Sequence, residues 1–505
     1  MNDRTSEFGK VRSVLWPIHN FELKKFIPMS LLMFSILFVY SAVRDLKDVF
    51  IQNYATLGGA ELIAPLKGIF VLPIALMTAF IFSFLVGKFG IDKTFYLISS
   101  FFTIFFFVFA FFLFPNVSKI HLNEEVMIKM REVCPGFLYY VIPCIGNWSY
   151  SLFFILAETW GSVMISSFFW YFANQVTKES EVNRFYAFYS MVGSVGRLIS
   201  GRYIEQMSYV KNNEEFDKNV KFLICTASFA CIVTILLYYY INKVVCSDQN
   251  MRPLRKKTVD AGKSKTKVKF LEGIKYLVSS KYLFLIFLLS ISYGVGINLL
   301  EGIFKGHIKE MSVNPNDTGR VMGRISQTTA CFNIMLTFLC SYILRKFKWK
   351  QAALVTPIVL VSLGVVFFSL MLYLNYGKGN IVDNTLLANI AMWVGISVDS
   401  FTKGTKYCLF DTTRGIAYRP LSPQEQAQGQ GAVEIIGGRF GKGLGATITM
   451  MFTSILFPGS KILSHIGSFF ILFLIILIIW IFSCNKLGNL YEEKISKING
   501  GQYGK

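Results

Sequence analysis

The sequence predicts an all-α membrane protein of about twelve transmembrane helices in two six-helix halves. Three observations carry that expectation. Of the 505 residues, 53% are hydrophobic, 50 are phenylalanine and only 16% are charged. Apolar runs long enough to cross a ~30 Å hydrocarbon layer follow one another along the chain, and a basic stretch splits them into two equal sets. Soluble domains carry ~25% charged residues, so the apolar surface here exceeds what one water-soluble core can hide. The formal charge is +21, yet the basic residues gather in tails and loops, where they set orientation in a bilayer. No nucleic-acid partner is expected.

The first 26 residues contain five Lys and Arg residues and no cleavage site after a short apolar core, so no cleavable signal is expected. Within them Trp16 to Lys25 mixes apolar and charged residues in the pattern of an interfacial helix. The first half, residues 27–243, then offers spans at Ile27 to Lys47, Leu62 to Val86, Phe95 to Phe114, Gly146 to Val176, Phe185 to Met207 and Phe222 to Lys243. Residues 244–281 hold a solvated basic linker. The second half, residues 282–485, offers Tyr282 to Lys305, Thr318 to Leu344, Ala352 to Tyr373, Leu386 to Lys406, Ala432 to Phe457 and Ile466 to Cys484, before a tail at 486–505. The positive-inside bias puts the linker and both termini in the cytoplasm of a multi-pass protein of the cell membrane.

Two local matches point to an internal repeat of the halves, the usual construction of secondary transporters. Tyr40-x7-Asp48 in the first span resembles Tyr293-x7-Glu301 in the seventh, and Gly196-Arg197-x-x-Ser200-Gly201 in the fifth resembles Gly438-Arg439-x-x-Lys442-Gly443 in the eleventh.

Charges inside spans cost ~2.5–3.5 kcal/mol each on insertion scales, so they need a partner, water or a ligand. Arg44, Lys47 and Asp48 share one helix face at the end of the first span. Snorkelling anchors and a cationic site between helices both fit them, and cations at an outer end weaken the anchoring reading. Glu158 is the only charge between Trp148 and Thr177 and is expected near mid-depth. Asn298, Glu301 and Lys305 share a face of the seventh span, where a Glu301–Lys305 pair at i, i+4 would also simply stabilise the helix.

Arg197 fits either a ligand or a tie between helices. Arg439 and Lys442 stand in a glycine-rich stretch that fails as a phosphate loop, because Ile436 and Gly443 replace the needed glycine and hydroxyl. Asp399, Lys403 and Lys406 read as anchors at a cytoplasmic span end. Arg320 and Arg324 fit an electrostatic funnel or a solvated end turn. The nine cysteines show no metal spacing; no cofactor or metal is expected, and an enzymatic role lacks a nucleophile with its base. A cavity with Lys47, Arg197, Arg439 and Lys442 against Glu158 and Glu301 would suit a polyanion such as a nucleotide.

At these residues the chain resembles the ADP/ATP translocases, or nucleotide transporters, of obligate intracellular bacteria and plastids. The resemblance runs nearly the whole length, through Leu15-Trp16-Pro17-Ile18-His19, Arg44-Asp45-Leu46-Lys47-Asp48, Ala157-Glu158-Thr159-Trp160-Gly161, Asn298-Leu299-Leu300-Glu301-Gly302, Lys406-Tyr407-Cys408-Leu409-Phe410-Asp411 and Gly441-Lys442. It implies a major-facilitator-like fold and nucleotide exchange or uptake, most simply ATP for ADP by a monomer. The family's functional charges map onto Lys47, Glu158, Glu301 and Lys442, with Arg44, Arg197, Asn298 and Arg439 beside them as candidates from the reading above. At Phe304, Arg419, Gln428 and Gly443 the chain departs from the exchangers' pattern, and members of the family include proton-driven importers and an NAD exchanger. A membrane scaffold or receptor that recruits acidic partners through the linker is the competitor from another class.

Overall fold

The computed structural model describes residues 18–177, 179–245, 247, 280–377, 381–421, 433 and 438–502. Among them there is no strand, and twelve long helices carry the fold; shorter pieces are given by residue range. The first half contains α1 (Leu23–Val49, prolonged by a π-helical turn to Tyr54), α2 and α3 on either side of Gly90, α4 (Trp148–Val176), α5 (Glu179–Met207) and α6 (Asn213–Tyr240). Residues 63–89 form α2 and residues 91–108 form α3; they separate at Gly90 because its φ of 78° is open to glycine and strained for other residues. The second half contains α7 (Lys281–Met311), α8 (Pro315–Lys346), α9 (Trp349–Tyr376), α10 (Ile381–Thr405, prolonged through Ala417), α11 (Gly438–Met450, prolonged to Leu456) and α12 (Ile466–Gln502).

Nine helical stretches among the described residues are long and apolar enough to cross a membrane. The other three, α5, α8 and α11, are more polar and run along the boundary between the halves. There α5 packs on α8 and α11 packs on α2. A Cβ on Gly323 would lie 2.6 Å from the Gly201 carbonyl, and one on Gly201 would lie 2.7 Å from the Gly323 carbonyl. The two backbones therefore touch, as small residues allow in membranes, where apolar burial does not drive helices together.

The helix pairings repeat between the halves. α1 packs on α5 and α6, as α7 packs on α11 and α12; α6 packs on α3, as α12 packs on α9. Aromatic contacts fill both peripheral pairs, with Phe95 stacked on Tyr238 at 3.8 Å and Phe368 stacked on Phe470 at 5.2 Å. The two motif matches thus fall on helices in equivalent places.

Among the described residues, polar contacts between the halves run from mid-depth to the end away from the linker. Asn53 on α1 accepts from Thr318 on α8 at 2.8 Å, Arg324 on α8 meets Glu205 on α5 at 2.9 Å, and Tyr140 donates to the Ser460 carbonyl at 2.9 Å. Arg324 is therefore a tie between halves rather than a funnel or a solvated turn, and Arg320 pairs with Asp317 in its own helix. From mid-depth toward the linker end the halves are separated by a cavity.

The start of the chain departs from the interfacial helix expected at Trp16 to Lys25. Residues before 18 lie outside the described residues, and Asn20–Glu22 forms a 3-10 turn that runs straight into α1. Glu22 receives two bonds from Arg184 at 2.7 and 2.9 Å, and Lys25 meets Glu181 at 2.5 Å. Because these charges find partners on α5, the segment is held in the protein rather than laid on the bilayer. Nearly all of the basic linker lies outside the described residues.

Candidate functional site

The site begins on α1. The helix stays unbroken past Val43, so Arg44, Asp45, Lys47 and Asp48 enter the protein interior with no loop between. An ion buried alone costs several kcal/mol, and each of these finds a partner on another helix. Arg44 stands 3.5 Å from Glu301 on α7. Lys47 lies 3.1 Å from Glu158 on α4 and 3.0 Å from Asp48, with its ammonium 3.9 Å from the centroid of the Phe154 ring. Asp48 turns its other oxygen to Lys305 on α7 at 2.8 Å, and Asp45 accepts from Ser326 on α8 at 2.6 Å.

Glu301 is the hub of the network. Besides Arg44, it meets Lys67 on α2 at 3.2 Å and Lys403 on α10 at 2.7 Å. Arg44 and Lys67 come from the first half, Glu301 and Lys403 from the second, so one carboxylate holds the halves together at mid-depth. Asn298, nearly one turn before Glu301, accepts from Lys67 at 3.1 Å and donates to the Gly294 carbonyl at 2.8 Å.

Beside this network lies a cavity of about 170 Å³. Its charged lining is Arg44, Lys67, Lys403, Lys406 and Lys442 against Glu158 and Glu301. Five cations against two carboxylates leave a formal excess of +3 on the wall. The matched tyrosines Tyr40 and Tyr293 line the same space. It continues toward the linker end into a wider chamber of about 400 Å³ that Arg197, Ser290 and Arg414 reach. Lys442 arrives there because α11 lies against α7: a Cβ on Gly294 would be 2.7 Å from the Gly441 backbone and 2.8 Å from the Lys442 nitrogen. That arrangement can bind a flexible polyanion by charge-assisted hydrogen bonds, since phosphate oxygens match ammonium and guanidinium donors.

Of the residues singled out from sequence, Arg44, Glu158, Asn298, Glu301 and Lys442 line the deep cavity, and Arg197 lines the adjoining chamber. Lys47 does not line either space. It is 1% exposed and sits behind Glu158, so its expected place among the cavity cations is corrected to that of a buried partner. The Arg439 side chain lies outside the described ones. A Glu301–Lys305 pair does not form, because Lys305 reaches across to Asp48 while Glu301 turns to Lys67 and Lys403.

Lys403 overturns the reading of Asp399, Lys403 and Lys406 as cytoplasmic anchors. Helical backbone continues from α10 through Ala417, which moves all three residues away from the helix end. Lys403 bridges Asp399 and Glu301, each at 2.7 Å, and Lys406 lines the cavity. Lys67 is the other residue that sequence reasoning missed. It is the only charge between Glu61 and Lys88, so the rule that selects Glu158 would have found it. Phe304 is buried against Phe367 at 5.8 Å rather than turned into the deep cavity, and Gln428 lies outside the described residues.

Comparison with solved structures gives the fold. A D-xylose-proton symporter aligns with a TM-score of 0.54 at 12% identity, covering 92% of this chain and 97% of that one. A bacterial homologue of the iron transporter ferroportin in an inward-facing state aligns at 0.52 and 12%, covering 92% and 100%. The architecture is major-facilitator-like. In sequence, ADP,ATP carrier protein 1 of Rickettsia bellii (strain RML369-C) is 34% identical over 498 residues, 97% of each chain. ADP,ATP carrier protein 1 of Chlamydia pneumoniae is 34% identical over 493 residues, 96% of this chain and 94% of that one. The profile of the family described as TLC ATP/ADP transporter matches residues 1–491, and with these relatives spanning nearly every residue, the chain belongs to that family.

Proposed function

We propose that the chain exchanges ATP for ADP across the cell membrane by alternating access of its two halves, acting as a monomer with both termini in the cytoplasm. The observation that carries this reading is the cation-lined cavity closed at one end by Glu301, whose carboxylate holds Arg44 and Lys67 of one half against Lys403 of the other. Phosphates that reach the deep cavity from the linker end meet Lys442, Lys406 and Arg44 there and compete with the carboxylates for them. Glu158 and Glu301 neutralise the cations in the empty carrier, which lowers the cost of burying them. Lys47 and Lys305 act indirectly, by holding Glu158 and Asp48 in place. A complete cation set within one chain supports the monomer, and the family membership supports nucleotides as cargo.

The test is a counter-flow panel on purified protein in liposomes preloaded with ATP, ADP, AMP or NAD. Labelled ADP accumulates against preloaded ATP or ADP on this reading. Uptake into empty vesicles driven by a pH gradient would replace exchange by proton coupling. No flux of any nucleotide would leave the scaffold reading.

A further inference from the structure

Lys406 lines both the deep cavity and the wider chamber, whereas Asp411 and Arg414 line the chamber and have no part in the deep site. Lys406 and Arg414 flank one carboxylate on the wall of the wider chamber: Asp411 lies 3.4 Å from Lys406 and 3.2 Å from Arg414. Arg414 is also steered by Ser290, whose hydroxyl accepts at 3.1 Å, and by the Phe410 ring at 5.5 Å. These side chains keep some exposure, 24% for Lys406, 31% for Asp411 and 11% for Arg414. Both cations thus contact Asp411 on a cavity wall, at distances longer than the 2.7–2.9 Å of a strong charge-assisted pair.

The opposite wall, built by α4 and α5, has a different chemistry. Toward the linker end it presents Ile165, Ser166, Trp170, Ser190 and Ser194, an apolar and hydroxyl-bearing surface. At its linker end the chamber is therefore polarised, cationic on the α10 side and suited to an aromatic ring and sugar hydroxyls on the other, while Glu158 and Arg197 line the same chamber from α4 and α5.

We propose that Lys406 and Arg414 form a second phosphate-binding station, occupied by a nucleotide before it reaches the deep cavity from the linker side. The nucleotide lies crosswise there, its phosphates on Lys406 and Arg414 and its base toward Trp170. Asp411 is the placeholder that holds both cations apart until phosphate displaces it. This inference rests on nucleotides being the cargo. Because the station belongs to the chamber on one side of the deep site, it acts on entry from the linker face alone.

Half-saturating concentrations of labelled ADP are measured from each face, in intact cells and in inverted vesicles of one expression host, with orientation set by protease access to residues 248–279. Arg414→Gln is expected to raise the linker-face value relative to the opposite face roughly ten-fold, the scale of one lost charge-assisted contact. Asp411→Asn removes the carboxylate charge that competes with phosphate for both cations and is expected to lower the same ratio. If Arg414→Gln does not fold, the direction of the Asp411→Asn shift decides. A ratio unchanged in the folded variants, or a parallel shift at both faces, overturns the station. A wild type that exchanges no nucleotide overturns the cargo assignment itself.

Discussion

Replacing Glu301 by glutamine keeps the size of the side chain and removes the charge on which three cations converge. Its oxygens lie 2.7 Å from Lys403, 3.2 Å from Lys67 and 3.5 Å from Arg44, and the residue is only 8% exposed. Removing one member of a buried ionic cluster costs ~3–5 kcal/mol because the remaining charges stay desolvated and unpaired. At 1.4 kcal/mol per factor of ten, that is roughly a hundred- to a few-thousand-fold in an equilibrium constant. Two of the three cations belong to the opposite half, so most of the loss falls on the arrangement in which the halves meet at the end away from the linker. The variant therefore shifts toward opening at that end.

A cysteine pair at Asn53 and Thr318, which bond across that end at 2.8 Å, reports the shift by its rate of disulfide cross-linking once the nine native cysteines are replaced. Glu301→Gln should slow cross-linking in the absence of nucleotide, and added ATP should restore part of it as phosphate takes the carboxylate's place. An unchanged rate in a folded Glu301→Gln protein would refute the assignment of Glu301 as the tie between halves.

Exchange of ATP (about −4) for ADP (about −3) moves one net charge, so 100 mV across the membrane biases the direction by roughly 2.3 kcal/mol, about 50-fold; an exchange ratio insensitive to a potassium-diffusion potential would contradict this. Gly323→Leu puts a side chain where a Cβ alone would stand 2.6 Å from the Gly201 carbonyl. It should force α5 from α8 at a cost of about 1–3 kcal/mol, read as a lower thermal midpoint and lost exchange. His121, between α3 and α4 and bonded to Ser149 at 2.6 Å, is held neutral by burial that lowers its pKa to about 4. Its folded form resists protonation more than its unfolded form near 6.5, so stability present above that pH is lost as pH falls toward 4. His121→Gln should shrink the drop in thermal midpoint between pH 7 and pH 5, and an equal drop in both proteins would contradict that.

The division into halves was legible because the spacing of apolar runs reflects bilayer thickness directly. Glu158 and Glu301 were legible for a related reason: a carboxylate inside an apolar helix must be neutralised, and that need is visible without knowing the partner. Which partner serves is set by neighbours hundreds of residues away. Lys305 lies four residues from Glu301, yet the crossing of α1 and α7 turns it to Asp48. Lys47 shares a helix face with Arg44, but α4 covers the final turn and leaves Arg44 alone on the cavity. Lys403 was misread because a hydropathy pattern locates apolar residues, and the helical backbone through Ala417 carries polar ones. The glycine-rich stretch around Lys442 was visible in the sequence, while its seating against Gly294 of α7, which places Lys442, depends on the fold.

The cavity cations have to bind the phosphates of the transported molecule if this account is right, and Lys442 is the cation that α11 brings to both the deep cavity and the wider chamber. Lys442→Gln in ATP-loaded liposomes should raise the half-saturating concentration of labelled ADP by roughly 10- to 150-fold, the range of one charge-assisted contact, while the thermal midpoint holds. Wild-type half-saturation in that variant would contradict the account.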